Sequence, residues 1–237
     1  MADHSALIKE IFSKNGLSKL LDAPKIEKLN ILIENMLKVN ASMNLTSITD
    51  PDEIILKHIA DSATISQYIP QNARMLDVGT GAGFPGMVLK ILRPDIGITL
   101  MDGLNKRLVF LDEVAKALNL EVKTVHLRAE EAGKNQGYRE RFDLATARAV
   151  SRLNVLYEYC LPLVKVGGTF CAMKGPSAAE ELSEAKRAGG ILGGGKAEIK
   201  ETTLTGEEKR CFVITKKISQ TPPKYPRISA KISKQPL

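Results

Sequence analysis

An α/β fold is predicted for this chain: a mostly parallel sheet with an antiparallel edge hairpin, preceded by a helical extension. Three observations predict it. After Pro70, short apolar runs alternate with helical stretches, the rhythm of strands joined by crossover helices. The first apolar run leads into a glycine-rich turn, Asp77-Val78-Gly79-Thr80-Gly81-Ala82-Gly83-Phe84-Pro85-Gly86, and then a helix. The last two apolar runs are separated by a turn at Thr205-Gly206, as in a hairpin. The 237 residues thus divide into a helical extension (1–69), a sheet domain (70–217) and a basic, Pro-containing tail (218–237).

Each element has a local cause. Leu7, Ile8, Ile11 and Phe12 recur at helical spacing, and Gly16 stops that helix. A second helix starts near Asp22, with Pro24 in its first turn and Ile26, Leu29, Ile33, Met36 and Leu37 on its apolar face. A third begins at Asp50-Pro51-Asp52-Glu53, a capping residue followed by Pro at the first helical position and Glu at the third, and ends before Pro70. Strands are expected at Arg74–Val78, Ile96–Met101, Val122–Leu127, Phe142–Thr146 and Thr169–Met173. Helices are expected near Pro85–Leu92, Lys106–Leu118, Ser151–Leu163 and Ser177–Ala188. The edge hairpin pairs Glu198–Leu204 with Arg210–Lys216, and Gly193-Gly194-Gly195 reads as a flexible loop.

Composition narrows the class. Hydrophobic residues make up 43% and charged residues 26%, a globular balance that argues against disorder. The longest apolar run is four residues, against about 18–20 for a spanning helix, so no membrane partner is expected. The N-terminus carries no signal pattern, which makes the cytoplasm the default location. Cys160, Cys171 and Cys211 are spaced for neither zinc nor a disulfide framework; they read as buried free thiols, and no metal site is expected. The net charge is +7, and the last 22 residues hold six cations (Lys216, Lys217, Lys224, Arg227, Lys231, Lys234) and no acid. Such a tail suits either a polyanion, with nucleic acid first, or mere solvation.

The glycine turn points to a nucleotide-like ligand, because glycines allow positive φ and close backbone approach. Two registers compete. Gly81-x-Gly83-x-x-Gly86 fits the dinucleotide pattern; Asp77-x-Gly79-x-Gly81-x-Gly83 fits the methyltransferase pattern and is preferred, since the first pushes Pro85 into the helix start. Asp102, closing the second strand, suits a ribose in either case. Glu130 and Glu131 after the third strand either border an adenine or simply open a short helix.

With these residues placed, the sequence resembles the bacterial small-subunit ribosomal RNA guanine-N7 methyltransferases, the RsmG or glucose-inhibited division protein B family. The resemblance runs through Asn44-Leu45-Thr46-Ser47, His58 through Asp61-Ser62, Asp77 to Gly86, Asp102 with Lys106-Arg107, Arg128 to Glu131, Phe142-Asp143 through Arg148-Ala149, Lys174-Gly175 and Lys224-Tyr225-Pro226-Arg227. It implies a Rossmann-like class I methyltransferase fold over 70–217, with S-adenosyl-L-methionine as cofactor and S-adenosyl-L-homocysteine as product. The implied reaction moves a methyl group to N7 of one guanosine in 16S rRNA. The partner is the small ribosomal subunit or its assembly intermediate, met by a monomer, with no DNA. Gly79, Phe84, Ala129, Glu130 and Arg148 are implied to touch the cofactor, joined from the general fold by Asp77, Gly81, Gly83 and Asp102. Lys106, Arg107, Arg128, Arg148 and Lys174 are assigned to RNA or target base, and Lys224 and Arg227 to RNA through the tail. Gly103 departs from the family, which more often has a residue such as Ser there; this is expected to loosen the loop near the ribose.

The chemistry agrees. Guanine N7 is an unprotonated acceptor, so methyl transfer needs in-line positioning and a dry site more than a general base. No catalytic acid or base is therefore assigned, and His58 is expected to make a packing hydrogen bond. Phe84 or Tyr138 is expected to cover the target base, and Arg148 to meet the methionine carboxylate. Two other readings stay open: a nicotinamide-dependent oxidoreductase and a non-catalytic ribosome-binding factor.

Overall fold

The computed structural model describes residues 3–43, 45–206 and 208–237; Asn44, which opens the Asn-Leu-Thr-Ser stretch, lies outside the described residues. Seven strands among them form one sheet: β1 (Arg74–Val78), β2 (Gly97–Asp102), β3 (Lys123–His126), β4 (Phe142–Arg148), β5 (Val164–Lys174), β6 (Gly194–Leu204) and β7 (Glu208–Lys217). Their order is β3-β2-β1-β4-β5-β7-β6. β1 through β5 pair in parallel, and β7 runs antiparallel between β5 and β6. The order reverses between β1 and β4, which opens a crevice at their carboxyl ends.

Helices cover both faces, so the central strands are buried on either side and read as near-continuous apolar runs. On one face α1 (Ser5–Lys14), α2 (Ala23–Met43), α5 (Gly86–Leu92) and α6 (Asn105–Ala117) share a single core, in which Ile8, Leu29, Ile33, Leu89 and Phe110 meet Met75 and Leu100 of the sheet. The N-terminal helices are thus part of the layer that carries the sheet. α7 (Ala129–Ala132), α8 (Leu153–Cys160) and α9 (Ala178–Ile191) build the second core on the other face. All three cysteines are buried and free. No helix among the described residues is long and apolar enough to cross a membrane.

The third N-terminal helix differs from its sequence expectation. It starts as predicted, with Asp50 accepting from the Glu53 amide at 3.0 Å to cap α3 (Pro51–Ile54). It then widens into a π-helical stretch over Ile55–Ala60, returns to α-helix in α4 (Asp61–Ala63) and tightens to 3-10 through Tyr68. Such bulges change the azimuth of the residues that follow, a change that apolar periodicity does not encode. Here the result is that the Lys57 carbonyl and the Asp61 carboxylate both meet Arg148.

The glycine triplet and the tail also differ. Gly193 and its neighbours are not a free loop: β6 starts at Gly194, and the Gly193 carbonyl accepts from the amides of Ile218 and Ser219. Gly193 has φ +87°, and a Cβ there would lie 2.2 Å from the Ser219 carbonyl oxygen, so glycine is required where the tail turns back. From that turn the tail folds along the α7–α8 side. Lys217, fully buried, donates to the Leu161 carbonyl at 2.7 Å and sits 3.2 Å from Glu140; burial lowers its pKa to about 8. Arg139 donates to the carbonyls of Thr221 and Tyr225. Arg227 pairs at 2.6 Å with Glu158 of α8, and α10 (Ser229–Lys234) inserts Ile232 beneath the surface.

Glu158 is fully buried, so Arg227 neutralises an interior charge. Removing one partner of such a pair destabilises by about 3–5 kcal/mol. Arg227→Ala is expected to lower stability by about 3 kcal/mol, read as the urea midpoint at constant m-value.

Candidate active site

The site starts beneath the sheet's surface. Asp77, next to last in β1, is fully buried; its Oδ2 accepts from the Thr80 hydroxyl at 2.7 Å and the Gly86 amide at 2.9 Å. Its Oδ1 has no partner, and burial pushes its pKa up to about 6. Above it the chain reverses through Gly79, Gly81 and Gly83, at φ +70°, +58° and +94°. The Gly79 and Thr80 amides donate to the Met101 carbonyl and tie the turn to β2. These three positive-φ residues are the glycines of the Asp-x-Gly-x-Gly-x-Gly register. Gly86 serves packing instead: it opens α5, where a Cβ would lie 2.3 Å from Leu100 and 2.8 Å from Asp77 Oδ2.

Asp102 ends β2 directly across from the turn. Its Oδ2 accepts from the Gly81 amide at 3.0 Å and from Arg107 at 3.2 Å, and its Oδ1 from the Leu104 amide at 2.9 Å. Gly79, Asp102, Ala129 and Glu130 line one cleft, which Gly103, Arg128, Val150 and Tyr159 complete. The two readings of the Glu pair separate by residue: Glu131 accepts from the Arg128 amide and caps α7, while Glu130 borders the cleft. Gly103 does not loosen the loop, because Leu104 is held by Asp102 and His126 bonds the Gly103 carbonyl at 3.2 Å. A Cβ on Gly103 would meet only Arg128 Cγ at 3.7 Å, so the position has room for a side chain.

A second pocket adjoins the end of β4. Asp61, Arg148, Met173, Gly175, Arg210 and Phe212 line it. Arg148 donates to the Lys57 carbonyl at 3.0 Å, to Asp61 at 2.8 Å and to His58 Nδ1 at 3.3 Å, and its guanidinium lies 5.5 Å from the Phe84 ring centroid. His58 stacks on Phe84 at 4.7 Å, and its Nε2 is 2.9 Å from the Thr46 hydroxyl. Because Arg148 can only donate to Nδ1, the ring proton is assigned to Nε2 and points at Thr46. Burial, then the Arg148 charge, lowers the His58 pKa to about 4, so the ring is neutral at pH 7. The packing role expected of His58 is what its contacts describe.

The cations predicted to meet RNA fall into distinct settings. Lys106 and Arg128 are exposed beside the Asp102 cleft, and Arg107 pairs with Asp102. Lys174 is 2.7 Å from Glu181, donates to the Ser151 carbonyl and is 10% exposed; it is held in an interior pair, as Arg227 is, because each has a carboxylate behind it that needs a counter-ion. Lys224 is exposed on the tail, over the Tyr225 ring. Tyr138 lies with Lys123 and Gly97 at the amino ends of the strands, opposite the glycine turn, so it does not cover a base bound at the turn. Sequence reasoning missed Asp61, Arg210, Val150 and Tyr159 as lining residues. Asp61 alone had a signal, in its spacing from His58; the others converge only through the sheet order.

The comparisons with known proteins agree with this geometry. The family model described as rRNA small subunit methyltransferase G, GidB, matches residues 25–210. The chain is 46% identical over 231 residues to ribosomal RNA small subunit methyltransferase G of Alkaliphilus metalliredigens, covering 94% of this chain and 97% of the relative. It is 49% identical over 226 residues to the protein of that name from Acetivibrio thermocellus, covering 94% and 93%. Among solved structures, a SAM-dependent O-methyltransferase of Thermotoga maritima superposes with a TM-score of 0.55 at 14% identity, over 79% of this chain and 72% of that one. A methyltransferase of Pyrococcus furiosus gives 0.54 at 17%, over 81% and 99%. The fold is therefore that of the class I methyltransferases, and the near end-to-end identity is decisive at the family level: the chain belongs to the rRNA small subunit methyltransferase G family.

Proposed function

We propose that this protein transfers a methyl group from S-adenosyl-L-methionine to N7 of a guanosine in 16S rRNA, acting as a cytoplasmic monomer on the small subunit or an assembly intermediate. The observation that carries the reading is a turn of three left-handed glycines tied to Asp102, 3.0 Å from the Gly81 amide, with Gly79 and Asp102 lining one cleft. The residues fit the cofactor. The glycine turn offers backbone with few side chains, Asp102 keeps one acceptor site on Oδ1 for a ribose hydroxyl, and Ala129 and Glu130 border the adenine position. Phe84 and Arg148 adjoin the methionine end. When bound, the cofactor supplies an electrophilic methyl group on a sulfonium. Lys106, Arg107 and Arg128 flank the cleft and suit phosphates of the RNA.

N7 is favoured as the acceptor because the bases of the second pocket among the described residues are engaged: Asp61 is held by Arg148 and Arg210. Both His58 nitrogens are engaged, and its neutral ring is a spacer between Thr46 and Arg148. An acceptor that attacks through its own lone pair needs only alignment. The oxidoreductase reading loses its support at the family level, and Gly86, packed against β2, suits either glycine register. A binding factor without turnover would need neither the glycine cradle nor the acid across from it.

Two measurements test this. Labelled methyl from S-adenosyl-L-methionine should appear as 7-methylguanosine in small-subunit RNA from cells lacking the protein. Label in another nucleoside would reject N7, and absence of label with naked RNA and assembled subunits alike would reject the reaction. The second concerns His58. With a folded pKa of about 4 against an ordinary 6.5, its contribution to stability is complete above pH 6.5 and is lost as pH falls through that window. His58→Gln should therefore flatten the fall in urea midpoint between pH 6.5 and 4. The wild-type transfer rate should show no inflection near pH 4 that the variant abolishes while both proteins remain folded; such an inflection would make His58 a base.

A further inference from the structure

Asp61 has no part in the adenosine cleft, yet it is the anion at the centre of the neighbouring pocket. Its carboxylate is 5% exposed, with Oδ2 accepting from Arg148 and Oδ1 from Arg210, each at 2.8 Å. Around that pocket Lys174 is matched by Glu181 and His58 is neutral, and Asp61 is the carboxylate that bonds Arg148. Arg148 in turn lies over Phe84, a residue of the glycine turn. Its charge is felt at Asp77 beneath that turn, where it opposes the rise caused by burial. The π-helical stretch before Asp61 and the end of β4 thus bring an ion pair beside Phe84 of the glycine turn.

A guanidinium in that position is a problem for a sulfonium ligand. Exposing one like charge near another, in an effective dielectric of about 20, weakens binding by on the order of tenfold. We propose that Asp61 is a positioning residue that holds Arg148 against Phe84 and cancels its charge toward the sulfonium, so that the site accepts the charged methyl donor and does not favour the uncharged product. The inference rests on the cofactor reading given above. It concerns donor against product: S-adenosyl-L-methionine and S-adenosyl-L-homocysteine share the adenosine, ammonium and carboxylate, and differ in the methyl group and the sulfonium charge.

The ratio of the two dissociation constants therefore reads the local charge and needs no RNA and no turnover. Calorimetric titration of the full-length protein with each ligand at low salt is the test. Asp61→Asn should raise the donor-to-product ratio of dissociation constants by roughly tenfold. Asp61→Glu, which keeps the charge, should leave the ratio near that of the wild type. Arg148→Gln should move it the opposite way, and it serves alone if Asp61→Asn does not fold. A purely structural role would weaken both ligands equally, so an unchanged ratio in Asp61→Asn, or in Arg148→Gln where only that variant folds, overturns the inference. Wild-type protein that binds neither ligand would instead overturn the cofactor reading, and this inference with it.

Discussion

Asp77 carries a carboxyl group into the dry interior at the end of β1, and the geometry above it follows from how that group is satisfied. Oδ2 gathers the Thr80 hydroxyl and the Gly86 amide, which fixes both ends of the turn and the first residue of α5. With its ends fixed nine residues apart, the chain can close only by passing through left-handed conformations, and glycines stand at those three points. The absence of side chains on that path is what leaves a cleft facing Asp102. Unpaired Oδ1 and the raised pKa mark the strain of keeping the group there. The same carboxyl lies within the field of Arg148, which links it to the second pocket.

That second pocket depends on the N-terminal helices as much as on the sheet. Arg148 ends β4 and Arg210 sits early in β7, but the carboxylate between them comes from α4 and the stacking ring from the π-helical stretch before it. Because α1 and α2 share their core with one face of the sheet, the helix bearing His58 and Asp61 is held at a set depth. The helical extension is therefore a wall of the site.

Much of the fold was legible because its causes are local. Strand β1 falls where the sequence predicts it, the Asp50 cap begins α3, and the Thr205-Gly206 turn joins the edge hairpin. The glycine turn and Asp102 were legible for the same reason, since ligand clefts of this kind are built from short contiguous segments. What escaped depends on partners far along the chain. Arg227 reads as a free tail cation until Glu158, 69 residues earlier, is seen buried behind it. Lys174 differs in that its partner Glu181 is near in sequence; the pair forms only because α9 turns back against the end of β5. Gly193 reads as a loop glycine until the returning backbone at Ser219 occupies the space of its missing Cβ. The π-helical register before Asp61 has no apolar signature of its own.

The docking of the tail has a consequence for biosynthesis. Chains are made from the N-terminus, and domains generally fold as units once their residues are available. Here the counter-ion for Glu158 is Arg227, made 69 residues later, and Tyr225 beside it belongs to the second core. While the chain is still tethered at its growing end, the α7–α8 layer lacks its partner and holds an unmatched charge. The first core, built from residues 8 to 118 with a few sheet contributions beyond, has no such requirement early on. Maturation is thus vectorial: the face that carries α1, α2 and α5 draws mostly on residues made early, whereas the opposite face is complete only after residues 225–232 have been made and docked.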